Sequence, residues 1–208
     1  MGALQQLRLA AVGGGATLRS QLLFGGADGS TVFTDTTGKV WTPFGNAQID
    51  TSLGDQRGLF DGSGDYIKTP DHADLNMGTG DFTIAFRLRF NSIAGFQTVA
   101  SRGYTINANG AWLLQTGNGN GIITFYTTAG GTTFARCSSS ALSAGVDYDI
   151  EVRRASGTVT FKVNGATTGS GADPTNLSVV AETSIGGGSS TGYNNFWFNG
   201  WVSNWSIA

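Results

Sequence analysis

The segment from Phe82 to Phe90 constrains the fold more than any other part of the sequence. Large apolar residues occupy every second position of this segment, and Thr, Ala and Arg occupy the positions between them. Successive side chains of a β-strand point to opposite faces, so the pattern predicts a strand with one apolar and one polar face. Such a strand needs a second layer that covers its apolar face, while the polar face meets solvent or a partner.

Glycine-rich segments between short apolar runs predict tight turns. The sequence FDGSGDYI at 60–67 predicts a strand, a turn and a second strand. Residues 155–157 and 164–165, Ala-Ser-Gly and Asn-Gly, predict hairpin turns, and the GNGNG run at 117–121 predicts another. With 33 glycines and only 12% charged residues, the composition is typical of many short strands joined by turns. We therefore predict an all-β fold, an antiparallel jelly-roll β-sandwich with little helix.

The chain divides into a short N-terminal arm, residues 1–20, and one sandwich domain, residues 21–208. A chain of 208 residues has the length of a single sandwich with one core. The arm is too short to build a core of its own, so it is either a disordered leader or an ordered segment held by neighbouring subunits. We favour the second interpretation. The candidate assembly residues of the arm are Leu4, Leu7, Arg8, Leu9 and Val12.

Charge and cysteine content exclude several classes of protein. The formal net charge of −2 gives no general attraction for nucleic acid or for an acidic membrane surface, so neither is expected as a partner. The sequence has no signal-peptide pattern and no span of membrane length, and we expect synthesis in a cytoplasm without standard secretion. Cys137 is the only cysteine, which excludes an internal disulfide, and we predict a small buried strand residue.

Candidate catalytic groups are few. Asp147, Asp149 and Glu151 alternate along a predicted strand and therefore share one face. Glycosidases hold two carboxyl groups about 5 to 9.5 Å apart across a cleft, and no other feature of the sequence predicts such a cleft. His72 is the only histidine and has no companions at the spacing of a triad or a zinc site. We expect a protein that is not an enzyme, with glycoside hydrolysis as a remote alternative.

An aromatic cluster near the C-terminus is the best candidate ligand site. Its aromatic rings offer flat apolar faces and its amides offer hydrogen bonds, the combination that suits sugar rings and their hydroxyls. The candidate carbohydrate-binding residues are Tyr193, Asn194, Asn195 and Trp197. The alternative is a role in the core or a subunit interface. In that interpretation the even spacing of Trp201, Trp205 and Ile207 places all three on one strand face, with Trp205 and Ile207 in the core.

Four segments of the chain resemble a known family. The sequences FDGSGDYIKTP at 60–70, GTGDFTIAFRLRF at 78–90, GVDYDIEVRRASGTVTFKVNG at 145–165 and FNGWV at 198–202 are similar to the concanavalin A-like lectin/glucanase superfamily. Within it they resemble the laminin-G-like branch, of the type found in bacteriophage virion proteins. The resemblance covers roughly residues 21–208. It implies a concanavalin A-like sandwich, in a superfamily that includes lectins, glycosidases, adhesion modules and structural parts.

The resemblance also implies a role. We expect a non-enzymatic structural protein of a bacteriophage virion, assembled in the host cytoplasm, which serves as capsid decoration or as a head or tail fibre component. Its expected partners are other virion proteins bound through the arm, further copies of the chain in a homo-oligomer, and host surface glycans as an additional contact. The alternative function is a lectin-like carbohydrate-binding module.

Calcium is the one cofactor that the resemblance suggests. Laminin-G-like relatives often bind calcium through loop carboxylate, amide and carbonyl oxygens. Asp61, Asp65 and Asp173 are the candidate ligands here, although Asp61 and Asp65 also suit plain turn formation. No other metal or cofactor is expected.

Overall fold

The fold is a two-layer sandwich of antiparallel strands. The computed structural model describes residues 17–103, 109–188 and 196–208. In this part of the chain two eight-stranded sheets pack around one hydrophobic core, and a 3-10 turn lies at Ala73–Leu75. This confirms the predicted antiparallel β-sandwich. None of the described segments forms a helix with the length and apolar character needed to cross a membrane.

Sixteen strands lie in the described residues. In chain order they are β1 (Ser20–Leu22), β2 (Phe33–Thr34), β3 (Val40–Phe44), β4 (Gln48–Asp50), β5 (Arg57–Asp61), β6 (Tyr66–Thr69), β7 (Phe82–Phe90), β8 (Thr98–Arg102), β9 (Trp112–Thr116), β10 (Ile123–Ala129), β11 (Thr132–Ser138), β12 (Asp147–Ala155), β13 (Thr158–Val163), β14 (Ala166–Ala172), β15 (Thr183–Ile185) and β16 (Asn199–Ile207). The first sheet has the order β14-β13-β12-β7-β16-β5-β4, with β1 also paired to β16. The second sheet has the order β11-β10-β9-β8-β15-β6-β3-β2.

Strand β7 lies near the centre of the first sheet, as its alternating sequence predicts. Its apolar residues from Phe82 to Phe90 are buried in the core, whereas Arg87 and Arg89 lie on the opposite, outer face. The strand pairs with β12 on one side and with β16 on the other. Because both edges of β7 are paired and one face is covered, the strand is fixed in register by its neighbours.

The predicted hairpins are present. Strands β12 and β13 are joined by Ser156 and Gly157, whose φ angles are 50° and 77°. Strands β13 and β14 are joined by Asn164 and Gly165, with φ angles of 51° and 83°. Two-residue turns with positive φ at both positions match the right-handed twist of the flanking strands. The local sequence therefore determines both connections.

The turn at 61–65 carries the chain from one sheet to the other. It connects β5 of the first sheet to β6 of the second, so the predicted strand, turn and strand are confirmed but do not form a hairpin. Gly62 and Gly64 have positive φ angles of 86° and 81°, which a side chain would disfavour.

Strand β16 contains a β-bulge that corrects one prediction. Between Ser203 and Ser206 the register to β7 shifts by one residue, and Asn204 has a φ angle of 52°. Because an extra residue reverses the alternation of side chains, Trp205 lies in the core while Trp201 lies on the outer face. The prediction that Trp201 shares a face with Trp205 and Ile207 is therefore wrong.

The two sheets approach each other closely along the edge formed by β11 and β14. A Cβ atom added to Gly169 would meet the backbone of Ser138, and one added to Gly171 would meet the backbone of Arg136. The Thr168 hydroxyl donates to the carbonyl of Ser138 at 3.3 Å. The two glycines therefore allow the edge strands to come into backbone contact.

The described chain is attached to the first sheet from its beginning. The N–H of Arg19 donates to the carbonyl of Ile207 at 2.8 Å, and the guanidinium of Arg19 donates to the carbonyl of Asn76 at 2.8 Å. Pairing to the sandwich thus starts just before the predicted boundary at residue 21. The predicted arm residues Leu4, Leu7, Arg8, Leu9 and Val12 lie outside the described residues.

Candidate functional site

A groove of about 470 Å³ opens at one end of the sandwich. It lies where the β5–β6, β7–β8 and β9–β10 loops meet the segment that leads into β16. We call it the aromatic groove, and its lining includes Phe96, Phe196, Trp197, Ser92, Asn118 and Asn199. The pairing of Gly200 with Phe90 and of Asn199 with Asp61 brings these loops to the same end. The volume is within the range of roughly 300–1,000 Å³ that is typical of small-ligand sites.

Aromatic rings form one wall of the aromatic groove. The centroids of Phe96 and Phe196 lie 5.5 Å apart with their planes at 50°, and Phe96 is 45% exposed. Trp197 stacks on Tyr66 with centroids 5.6 Å apart, and Tyr66 stacks on Phe44 at 4.5 Å. Trp197 is thus the end of a three-ring stack that lies on β3 and β6 of the second sheet. Stacking holds the indole in position without burying it fully.

A buried amide braces the loop that carries Phe96. The Gln97 side chain is only 3% exposed, and its amide nitrogen donates to the carbonyls of Ser92 at 2.7 Å and Ala94 at 3.1 Å. Its amide oxygen accepts the N–H of Asn199 at 2.9 Å. Gln97 therefore uses both amide N–H groups and its amide oxygen to fix the loop to the start of β16, and its burial keeps these atoms away from a ligand.

Two other amides face the ligand space. Asn199 accepts a hydrogen bond from Asn91 at 3.0 Å through its side-chain oxygen, and its amide nitrogen has no hydrogen-bond partner among the described residues. Asn118 is exposed in the β9–β10 loop. These two side chains supply donors and acceptors in the same groove as the aromatic rings.

Of the predicted carbohydrate-binding residues, Trp197 lies in the aromatic groove. Tyr193, Asn194 and Asn195 lie outside the described residues. Sequence analysis did not find Phe96, because its loop is separated from Trp197 by about half of the chain and no local pattern links the two.

The structure brings two of the three predicted calcium ligands together. The Asp65 carboxylate is buried and accepts the N–H groups of Asn46 at 2.7 Å and Asp61 at 3.0 Å. Burial raises the pKa of Asp65, and the adjacent charge of Asp61 also raises it, against the effect of these two hydrogen bonds. Among the described residues, no three His, Cys, Asp or Glu side chains are placed to hold a metal ion.

Asp173 lies at the opposite end of the sandwich from Asp61. Its carboxylate lies 3.0 Å from Arg154, which is opposite Phe82 in the sheet, whereas Asp61 lies near Phe90. Since β7 has nine residues, these ends are separated by roughly 26 Å at about 3.3 Å per residue. Asp173 therefore cannot share an ion with Asp61 and Asp65.

Asp147, Asp149 and Glu151 share one face of β12, as predicted, and this face is the outer face of the first sheet. Asp147 pairs with Arg57 and lies 3.4 Å from Arg87, and Glu151 lies 2.9 Å from Lys162. Partial burial disfavours the Asp147 carboxylate, but the hydrogen bond and charge of Arg57 outweigh this effect and hold the pKa of Asp147 below its usual value. Ion pairs on a sheet face do not form the carboxylate cleft of a glycosidase.

His72 and Cys137 both lie at positions where they contribute to the fold. His72 precedes the 3-10 turn, and its carbonyl accepts a hydrogen bond from Arg102 at 3.2 Å. Cys137 is buried in β11, as predicted. Burial and the nearby charge of Asp173 raise the pKa of Cys137 to about 12, so the thiol is not activated as a nucleophile at neutral pH.

Solved structures with this fold include binding domains. The binding domain of Paraclostridial Mosquitocidal Protein 1 matches with a TM-score of 0.71 and 14% identity, over 91% of this chain and 48% of that one. The binding domain of botulinum neurotoxin DC, in complex with rat synaptotagmin II, matches with a TM-score of 0.69 and 13% identity, over 91% and 48%. This chain therefore spans about half the length of these two toxin domains.

A third similar structure has nearly the same length as this chain. It is domain 4 of AbnA, a GH43 extracellular arabinanase from Geobacillus stearothermophilus, in complex with arabinotriose. It matches with a TM-score of 0.68 and 14% identity, over 92% of each chain. At these identities the likeness establishes the fold alone.

Comparison of the sequence with protein families identifies the chain more closely. The curated proteins contain no match to it. A laminin-G-type family model, described as the concanavalin A-like lectin/glucanases superfamily, matches residues 61–207. This match covers more than half of the sequence, and the chain belongs to the concanavalin A-like lectin/glucanase superfamily.

Proposed function

We propose that the protein is a non-enzymatic carbohydrate-binding module that holds a glycan in the aromatic groove. The observation that supports this function is that Phe96, Phe196 and Trp197 line the same groove as the amides of Asn118 and Asn199. A sugar ring has an apolar face that packs on an aromatic ring and hydroxyls that exchange hydrogen bonds with amides. The rings and the amides that line the groove match these two requirements.

Contacts within the protein hold the residues of the groove in place without a ligand. Gln97 fixes the Phe96 loop to Asn199, and the stack with Tyr66 holds the indole of Trp197. The carbonyl of Phe196 accepts the N–H of Thr98 at 2.7 Å. Because these contacts already order the groove, a bound glycan loses less free energy to the ordering of side chains.

The comparisons support a binding role of this kind. Domain 4 of AbnA has the same fold and was solved with arabinotriose, and the toxin structures with this fold are binding domains. The described part of the groove lining contains no carboxylate that could act as a general acid or base. We therefore propose binding without turnover.

The proposal is tested by removing exposed rings. Phe96→Ala and Trp197→Ala are each expected to weaken glycan binding by about tenfold or more, equivalent to about 1.4 kcal/mol. Affinity is measured by calorimetry with a glycan selected on an array. Phe134→Ala is the matched control. Phe134 is also an exposed ring, but it lies on β11, beside the end of β10 that is farther from the groove.

The melting temperature separates binding from stability. Phe96 and Trp197 are not fully buried, so their removal is expected to lower the melting temperature only slightly. Binding that survives Phe96→Ala unchanged would contradict the proposed site. Weakening by Phe134→Ala to the same extent would show a general effect on the fold.

We also propose that the module is displayed on a bacteriophage virion, as capsid decoration or in a head or tail fibre. The motifs at 60–70 and 78–90 support this setting, since they resemble virion proteins of the laminin-G-like branch. The attachment of Arg19 and Ser20 to β16 supports a role for the preceding residues as an anchor. A segment joined there is tethered to a fixed point of the first sheet, where it could contact other virion proteins or further copies.

A truncation tests this setting. A chain that starts at residue 17 keeps β1 and is expected to fold with an unchanged melting temperature but to be absent from purified particles. The full-length chain, expressed with the same tag in the same cells, is expected in the particles. Equal incorporation of the two chains would contradict the role of the arm, and absence of both would contradict the virion setting.

A further inference from the structure

The aromatic groove is built from uncharged segments. The loop at 91–97 has the sequence NSIAGFQ, the loop at 117–121 is GNGNG, and the segment at 196–200 is FWFNG. The groove residues that these segments contribute, together with Gly62, are all uncharged in the described part of the chain. A ligand in the groove therefore meets amides, hydroxyls, backbone groups and aromatic rings.

The charge closest to the groove along the chain is negative. Asp61 precedes the lining residue Gly62 and is opposite Asn199 in the adjacent strand, a spacing of about 4.8 Å between strands. The carboxylate of Asp65 lies beside Asp61 and accepts its backbone N–H at 3.0 Å. Within the described residues neither carboxylate forms a salt bridge with Lys or Arg, so the field of Asp61 at the rim is not neutralised. An acidic ligand would be repelled there.

Two cations near this end of the molecule, Lys68 and Arg89, have acidic partners among the described residues. Lys68 lies 2.8 Å from Glu182 and 4.9 Å from the ring centroid of Phe44. Arg89 is on the outer face of the first sheet, 3.7 Å from Asp147. Sites that bind carboxylate or sulfate groups present Arg or Lys toward the ligand, and neither of these two side chains lines the groove.

We infer that the aromatic groove selects uncharged oligosaccharides and discriminates against glycans that carry sialic or uronic acids. This inference rests on the proposed function of the groove. Ring stacking and amide hydrogen bonds supply the affinity, and the acidic rim at Asp61 supplies the discrimination. Neutral hexose or pentose chains satisfy both conditions.

A paired glycan array tests the inference. Each neutral oligosaccharide is compared with its terminally sialylated form and with a uronic-acid oligosaccharide of equal length. The neutral members are expected to bind at least about tenfold more tightly than the acidic members. The Kd for a neutral member is expected to change by less than about twofold between about 50 mM and 500 mM NaCl, because no ion pair is formed.

Asp61→Asn identifies the source of the discrimination. Asparagine keeps the side-chain oxygen that accepts the N–H of Ser63 at 2.7 Å and removes the charge. Binding of acidic glycans is expected to improve in this variant, while binding of the neutral glycan stays within about twofold. Asp28→Asn, which removes an exposed carboxylate near Thr51, is expected to change neither.

The outcomes separate the inference from the proposed function. Acidic glycans that bind as tightly as neutral ones, in a manner lost in Phe96→Ala, overturn the inference and leave the groove as a glycan site. A steep loss of affinity for the glycan as the salt concentration rises would likewise overturn the inference and leave the groove as a glycan site. A protein that binds neither class of glycan overturns both the inference and the proposed function. Glycan binding that is unchanged by Phe96→Ala also overturns both.

Discussion

At the scale of single residues, Arg154 and Asp173 form an ion pair that is fully removed from solvent. Both side chains are 0% exposed, and their nitrogen and oxygen atoms lie 3.0 Å apart. Arg154 also donates to the carbonyls of Gly80 and Thr175, each at 2.8 Å. A buried charge is tolerated only when its hydrogen-bonding capacity is satisfied in this way. The pair ties the segment after β14 to the core.

Removal of one residue of the Arg154–Asp173 pair should therefore destabilise the fold strongly. Asp173→Ala leaves the Arg154 charge buried without a counterion, and we expect the free energy of unfolding to fall by about 3–5 kcal/mol. Glu182→Ala is the control, since it breaks a partly exposed pair with Lys68 and is expected to reduce stability by less than about 1 kcal/mol. Urea denaturation measures both. Similar losses in the two variants would show that burial of the pair has no special effect.

For the Arg154–Asp173 pair, the sequence predicts the strand face of Arg154 but not its partner. Strand alternation places Arg154 on the same strand face as Ile150 and Val152. The sequence around Arg154 does not show which acidic residue pairs with it. Asp173 is 19 residues later in the chain, and the sequence identified it only as one of three candidate calcium ligands, with Asp61 and Asp65. Its ion pair with Arg154 depends on the three-dimensional position of β14, which no pattern around Asp173 encodes.

At the scale of strands, the Gly-Ser-Gly run of β14 controls how closely the two sheets meet. Gly171→Ala places a methyl group against the carbonyl of Arg136, and we expect a loss of about 1–3 kcal/mol through overpacking. Ser170→Ala changes an exposed position of the same strand and is expected to be nearly neutral. Thermal unfolding compares them. A neutral Gly171→Ala would mean that β11 and β14 can separate without loss of stability.

Elements with local signals were predicted well. Strand β7 follows from its own alternation, and the two hairpins follow from Ser156-Gly157 and Asn164-Gly165. The bulge in β16 was missed because Asn204 adopts its conformation through pairing with β7 and β1, not through a local glycine. The groove was predicted only at Trp197 and its neighbouring segment, since Gly62, Asn118 and the loop at 92–97 come from elsewhere in the chain and meet this segment only in the folded protein.

At the scale of the whole molecule, acid should destabilise the sandwich. Burial disfavours the Asp35 carboxylate, but hydrogen bonds from Ser20, Thr37 and Trp41 outweigh burial and lower its pKa from 3.8. A carboxyl group with a lowered folded pKa stabilises the fold above its unfolded pKa and loses this effect as the pH falls through the folded value. The stabilisation that the Asp35 carboxylate provides is therefore lost below pH 3.8. Asp65, whose pKa is raised, acts in the opposite direction.

A charge-neutral variant isolates the contribution of Asp35. The unfolding free energy of the unmodified protein is expected to fall as the pH decreases from about 4 to about 2. Asp35→Asn is expected to be less stable at neutral pH and to show a smaller fall over this range, because its side chain does not titrate. Asp28→Asn, at an exposed position, is expected to follow the unmodified protein. Parallel pH profiles for the Asp35 and Asp28 variants would contradict this account.

The position of β16 determines when the first sheet can be completed during synthesis. This strand lies between β5 and β7 in the sheet, yet it follows every other described strand along the chain. On the ribosome, β5 and β7 emerge early and keep unpaired edges until residues 199–207 have been made. Long-range pairing of this kind slows folding and leaves edges open to other chains. The nascent protein is therefore expected to depend on chaperones until β16 is inserted.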